Sequence, residues 1–105
     1  MKKIILFCAA GMSTSMLVKK MQAAADEIEY DCSVEAHSIS EVLKVGQDAD
    51  MILLGPQIKF NKKDVESKCP GIPVEVINMR DYGTLNGKNV VNHVIEVLKN
   101  KEEAK

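Results

Sequence analysis

The run Cys8-Ala9-Ala10-Gly11-Met12-Ser13-Thr14-Ser15 puts one thiol ahead of small residues, a glycine and three hydroxyls. If an apolar strand ends at Cys8 and a helix begins at the end of the run, several backbone N–H groups converge there without intrahelical partners. Such a nest holds an anion. Gly11 permits a left-handed or close backbone approach, Ala9 and Ala10 keep side chains out of the way, and Ser13, Thr14 and Ser15 add donors. Cys8 is expected at the rim, where the helix N-terminus favours thiolate over thiol. A thiolate beside a phosphate cradle can attack phosphorus, so the chemistry implied is a phosphocysteine intermediate. Gln57 is a further candidate, since it follows Gly55-Pro56 and its amide can donate to a phosphate oxygen.

Packing would account for a lone strand-end cysteine. What sets Cys8 apart is the glycine and hydroxyl run behind it. Cys32 alternates in step with Val34 and is explained as packing, and Cys69, before Pro70, is read as an exposed thiol with no nest. Three cysteines without a Cys-x-x-Cys pair suggest neither zinc nor a disulfide framework. His37 and His93 have no ligand-spaced partners, so no metal site is expected. Neither Gly-x-Gly-x-x-Gly nor a Gly-Lys-Ser/Thr loop occurs, and no nucleotide or other organic cofactor is expected.

The elements that must position these groups follow from hydropathy. Short apolar runs alternate with stretches of helical period, the pattern of β-α-β units and a parallel sheet. Strands are expected at Lys3–Cys8, Cys32–His37, Met51–Leu54 and Val74–Ile77. Leu17, Met21, Ala24, Ala25 and Ile28 mark one face of the first helix, and Val90, Val91, Val94, Ile95 and Leu98 that of the last. A short helix capped by Ser40 and stopped by Gly46, and another over Asn61–Lys68, fill the middle. Tyr82–Asn89 reads as turns, and Lys99–Lys105 as a frayed tail.

The first and third strands are apolar throughout and belong at the centre, while the second and fourth suit edges. With right-handed crossovers, the fold expected is α/β: an open four-stranded parallel sheet, order 2-1-3-4, with helices on both faces and the phosphate loop after strand 1. The order reverses between strands 1 and 3, so a ligand belongs beyond their carboxyl ends, where the loops start at Cys8 and Gly55. Asp48 and Asp50 precede strand 3 and lie at the wrong end.

A chain of 105 residues gives a single domain, 1–105. Hydrophobic and charged fractions of 46% and 28% are ordinary for a globular protein and exclude a disordered or fibrous one. A formal charge of -1, no basic run and only 4% aromatics argue against nucleic-acid binding. The segment Met1–Ala10 imitates a short secretory signal, but its apolar run is brief, and no stretch approaches the ~18 apolar residues that span a bilayer. A cytoplasmic location is expected.

Cys8 with Thr14 six positions on resembles the phosphate loop of low-molecular-weight tyrosine phosphatases and arsenate reductase-like relatives, with threonine where those have arginine. Without a guanidinium clamp, charge developing on a transferring phosphoryl group is less stabilised. Such a site would hold phosphate and hand it on more readily than hydrolyse it. Over nearly the whole chain, Leu6–Ser15, Leu53-Leu54-Gly55-Pro56-Gln57-Ile58, Pro73–Ile77 and Tyr82-Gly83 together resemble the lactose/cellobiose-type IIB component of the bacterial phosphoenolpyruvate-dependent sugar phosphotransferase system. The resemblance implies a phosphocarrier with Cys8 as the phosphorylated cysteine. It also implies a phosphohistidine IIA donor, a membrane IIC transporter and a sugar bound in that transporter, for instance cellobiose or lactose. Phe60 stands where that family often has tyrosine, Asn78 where aspartate is common and Ala9 where serine is common.

Overall fold

A computed structural model describes residues 1–9 and 15–103 of the chain. Four parallel strands, β1 (Lys2–Cys8), β2 (Cys32–Ser38), β3 (Met51–Leu54) and β4 (Val74–Val76), form one sheet in the order β2-β1-β3-β4. Ile4 of β1 faces Val34 of β2 and Met51 of β3, and Leu54 of β3 faces Val76 of β4. Central β1 and β3 are buried almost throughout, whereas β2 alternates only near its start and is half-covered beyond it. That contrast is the physical basis of the strand order, because only a strand with neighbours on both edges and cover on both faces can be uniformly apolar.

Helices α1 (Ser15–Glu27) and α5 (Gly87–Glu103) cover one face of the sheet. Leu17 and Met21 of α1 and Val91 and Val94 of α5 pack there with Leu6 and Leu53. The other face holds Ile5, Phe7, Ile52 and Leu54 under α2 (Val42–Val45) and α3 (Lys62–Lys68), through Val42 and Val65. The two cores sit on opposite faces because successive side chains of a strand alternate.

Some boundaries differ from the sequence reading. Ser38 rather than Ser40 caps the turn after β2: its hydroxyl accepts from the Ser40 N–H. Gly46 ends α2 with helical dihedrals, so the chain continues as a 3-10 turn over Gly46–Asp48. A 3-10 turn spans Pro56–Asn61 ahead of α3. The supposed turn region holds a short helix, α4 (Met79–Gly83), where Asn78 Oδ1 accepts from the Arg80 N–H at 2.7 Å. Asparagine caps a helix about as well as aspartate does, so Asn78 suffices at this position. The expected frayed tail is helical through Glu103, and Lys101 Nζ donates to the Gly71 carbonyl at 2.7 Å. Ile28 lies past the end of α1 and is exposed.

One helix junction explains a glycine. A Cβ on Gly87 would lie 2.5 Å from both Lys20 C and Met21 N, so the start of α5 rests directly on the α1 backbone. The open edge of β2 is managed differently. Gln22 of α1 donates through Nε2 to the Cys32 carbonyl at 3.1 Å and accepts at Oε1 from the Val34 N–H at 3.0 Å. One side-chain amide thereby occupies the two backbone groups that a neighbouring strand would use.

Candidate functional site

Cys8 is the last residue of β1, at the carboxyl end of the sheet, and lies in register with Ser38 of β2. The chain leaves β1 there, passes exposed Ala9 and enters α1 at exposed Ser15. Ala10, Gly11, Met12, Ser13 and Thr14, the middle of the expected cradle, lie outside the described residues. Cys8 itself is only 2% exposed. β2 pairs with it on one side, and the chain leaving β3 at Gly55 passes close to it.

That crossing starts at Gly55, whose N–H donates to the Phe7 carbonyl at 3.0 Å and so prolongs the β1–β3 ladder by one rung. The space a methyl would take on Gly55 is bounded by Gln57 Oε1 at 3.1 Å and Cys8 Cβ at 3.8 Å. Glycine therefore lets the chain pass close to the thiol, and the Gln57 amide, though exposed, is folded back over the same spot. Gly55 thus has both the Gln57 amide oxygen and Cys8 Cβ within 4 Å of its Cβ position, at the point where the sheet order reverses. The Gly55 approach has a signal in the sequence, the Gly-Pro pair after a buried strand. Its function as a spacer shows only with both strands in place.

The other cysteines are structural. Cys32 packs in the α1/α5 core, and Cys69 is fully buried against Gly46, which corrects the expectation of an exposed thiol. Burial pushes both thiols above their ordinary pKa of 9.0, with nearby Asp26 and Asp31 adding to the effect at Cys32. No disulfide joins the three.

Neither histidine is disposed for chemistry at Cys8. His37 sits on the Phe7 face of the sheet, its Nδ1 3.0 Å from Glu41 Oε2 and its Nε2 3.2 Å from Glu35 Oε1. His93 Nε2 lies 3.0 Å from Glu75 Oε1 on the surface. Asp50 Oδ2 accepts from the Lys3 N–H at 2.7 Å, at the amino end of the sheet. Among the described residues, no group of three or more His, Cys, Asp or Glu side chains could hold a metal ion. A cleft of about 350 Å³ between β4, α4 and α5 is bordered by Asn78, Asp81, His93 and Glu96 and does not include Cys8. Within it, Asn89 Nδ2 donates to Asp81 Oδ2 at 2.9 Å.

Residues 3–93 match the family described as "PTS system, Lactose/Cellobiose specific IIB subunit". The galactose-specific EIIB component of Lactococcus lactis subsp. cremoris is 44% identical over 97 residues, which cover 86% of this chain and 90% of that protein. The oligo-beta-mannoside-specific EIIB component of Bacillus subtilis is 36% identical, with 95% and 99% covered. The solution structure of the cellobiose-specific IIB component from Borrelia burgdorferi superposes with a TM-score of 0.79 at 41% identity, covering 95% of this chain and 94% of that one. No helix among the described residues is long and apolar enough to cross a membrane.

Proposed function

Because the chain belongs to the lactose/cellobiose-specific IIB family of the sugar phosphotransferase system, we propose that it carries a phosphoryl group on Cys8 between a IIA protein and a sugar held by the membrane component IIC. The observation that carries this reading is the place of Cys8: an unbridged thiol at the carboxyl end of a central strand, at the switch point of an open parallel sheet. Cys32 and Cys69 are buried elsewhere in packing positions.

In the first half-reaction the Cys8 thiolate attacks phosphorus, the S–P bond forms, and the N–P bond of the IIA phosphohistidine breaks. The imidazole leaves with the electron pair and takes up a proton. In the second, a sugar hydroxyl oxygen attacks the same phosphorus, the S–P bond breaks, and the thiolate is restored. The hydroxyl proton passes to a base on the partner. The backbone of Ala9 to Ser15 is the proposed cradle, with Gln57 as an additional donor, because a phosphocysteine bears about -1.5 to -2 charges and needs charge-assisted hydrogen bonds. With threonine at position 14, no guanidinium clamp favours the transition state of hydrolysis, so ground-state binding keeps the adduct alive until a partner docks. The reading needs no metal or organic cofactor and places one domain in the cytoplasm.

Relatives of comparable identity carry the names of different sugars, galactose and oligo-beta-mannoside among them. The proposed sugar class is a β-linked disaccharide such as cellobiose or lactose. The test is incubation with IIA and labelled phosphoenolpyruvate through the general phosphotransfer proteins. The carrier takes and holds label on Cys8, and Cys8→Ser takes none while folding normally, since serine stays protonated and is a poorer leaving group. Turnover to free phosphate would mean a phosphatase. No label at all would mean a non-catalytic domain of the same fold.

A further inference from the structure

The turn that carries Gln57 ends in an aromatic side chain that folding leaves in water. Phe60 is 87% exposed, although the chain has only one other phenylalanine, Phe7, and buries it completely. Lys59 Nζ stands 5.3 Å from the Phe60 ring centroid, a cation-π contact that restrains the ring without covering it. Lys62 and Lys63 follow in the chain, so three lysines fall within five residues around Phe60. Asp64, the nearest acidic residue in the chain, is bridged to Lys68 at 2.9 Å.

The location gives this combination its meaning. Phe60 lies in the segment that starts at Gly55, against Cys8 Cβ. On the other face of the sheet, exposed Met16 opens α1 and exposed Met79 opens α4. Apolar groups thus flank the carboxyl ends of three neighbouring strands, with the cations on one side. An exposed ring beside a restraining cation, three residues past Gln57, has the features of an interface anchor.

We propose that Phe60 is the anchor on which the phosphohistidine-bearing IIA protein docks, with Lys59, Lys62 and Lys63 drawing in its phosphorylated form. The proposal rests on the phosphocarrier reading. Charge selects the donor over the transporter as occupant. A partner that arrives carrying the phosphoryl dianion meets lysines that form no ion pair among the described residues. Once the group is on Cys8, the lysines face charge within their own chain and the discharged donor is held less tightly. The transporter always meets the phosphorylated form, in which that attraction is already spent. Electrostatics of this kind acts on encounter and falls with salt, whereas the ring sets residence time.

The experiment measures initial rates of label transfer from IIA to the wild-type chain, Phe60→Ala and Phe60→Leu as donor concentration is varied. With the ring so exposed, neither variant has packing to lose. Phe60→Ala is expected to raise the apparent KM about 10-fold, the effect of burying a large apolar side chain at an interface, with kcat unchanged. Phe60→Leu should recover most of the loss, and added salt should raise the wild-type KM. An unchanged KM for Phe60→Ala, with the wild type labelled normally, overturns the anchor. Normal charging with slowed discharge to IIC vesicles overturns the donor assignment in favour of the transporter. Failure of the wild type itself to take label refutes the phosphocarrier reading, and that outcome is visible before any variant is compared.

Discussion

Adding one methyl group at Gly87 and at Gly55 should have opposite consequences, and the distances say why. At Gly87 the new carbon would sit 2.5 Å from Lys20 C, 2.5 Å from Met21 N and 2.7 Å from Lys20 O. All three are backbone atoms of α1, and none can rotate aside. Relief requires α5 to move away from α1 by roughly 1 Å, which opens the packing of Leu17 and Met21 against Val90, Val91 and Val94. Overpacking of this kind costs about 1–3 kcal/mol, and the better helix propensity of alanine returns at most ~1 kcal/mol. At about 4–8 °C per kcal/mol for a domain of this size, Gly87→Ala should lower Tm by roughly 5–15 °C. At Gly55 the tight contact, 3.1 Å, is with Gln57 Oε1, the free end of an exposed side chain, and the Phe7 oxygen and Cys8 Cβ are at ordinary distances of 3.7 and 3.8 Å. The backbone dihedrals there, φ -62° and ψ 150°, suit alanine. Gly55→Ala should hold Tm within a few degrees while turning the Gln57 amide away. Thermal unfolding followed by far-UV circular dichroism compares the two. Equal Tm for Gly87→Ala and the wild type would refute the reasoning, because it would mean the α1–α5 contact yields at no cost.

Added phosphate should slow alkylation of Cys8 by occupying the proposed cradle and leave Cys32, which is packed between α1 and α5, unaffected; mass spectrometry that found the Cys8 rate indifferent to phosphate would refute the anion nest. The raised pKa values of Cys32, Cys69 and Tyr30, each caused mainly by burial, favour the protonated forms in the folded chain. Their contribution is fully present below the unfolded values of 9.0 for the thiols and 10.0 for the phenol, and is lost as pH rises through the folded values. Denaturation midpoints should therefore fall above pH 9 and fall less steeply in Cys69→Ala, and parallel curves would contradict the assignment. Gln22→Ala should cost about 1 kcal/mol through the lost bonds to Cys32 and Val34, and should promote self-association along the bared β2 edge. Sedimentation velocity showing an unaltered monomer fraction would refute the edge-blocking role.

Sequence by itself determined the sheet. Uniformly apolar Ile4–Phe7 and Met51–Leu54 can be buried only as central strands, and half-polar Cys32–Ser38 only at an edge, so order and switch point follow from local composition. It likewise singled out Cys8, because a thiol ahead of a glycine and hydroxyl run at a strand end is a local pattern. The short elements were not legible. Helix α4 rests on an Asn78 cap and a few residues, too little for periodicity to register, and the helical tail is held in part by Lys101 reaching Gly71, a contact 30 residues distant. Tertiary structure alone decided that Cys69 is buried, how closely the chain at Gly55 passes Cys8, that Gly87 lies on bare helix backbone, and that Phe60 stays in water. Each of these depends on what a distant segment does or does not place against the residue, and hydropathy along one strand or helix carries no information about that neighbour.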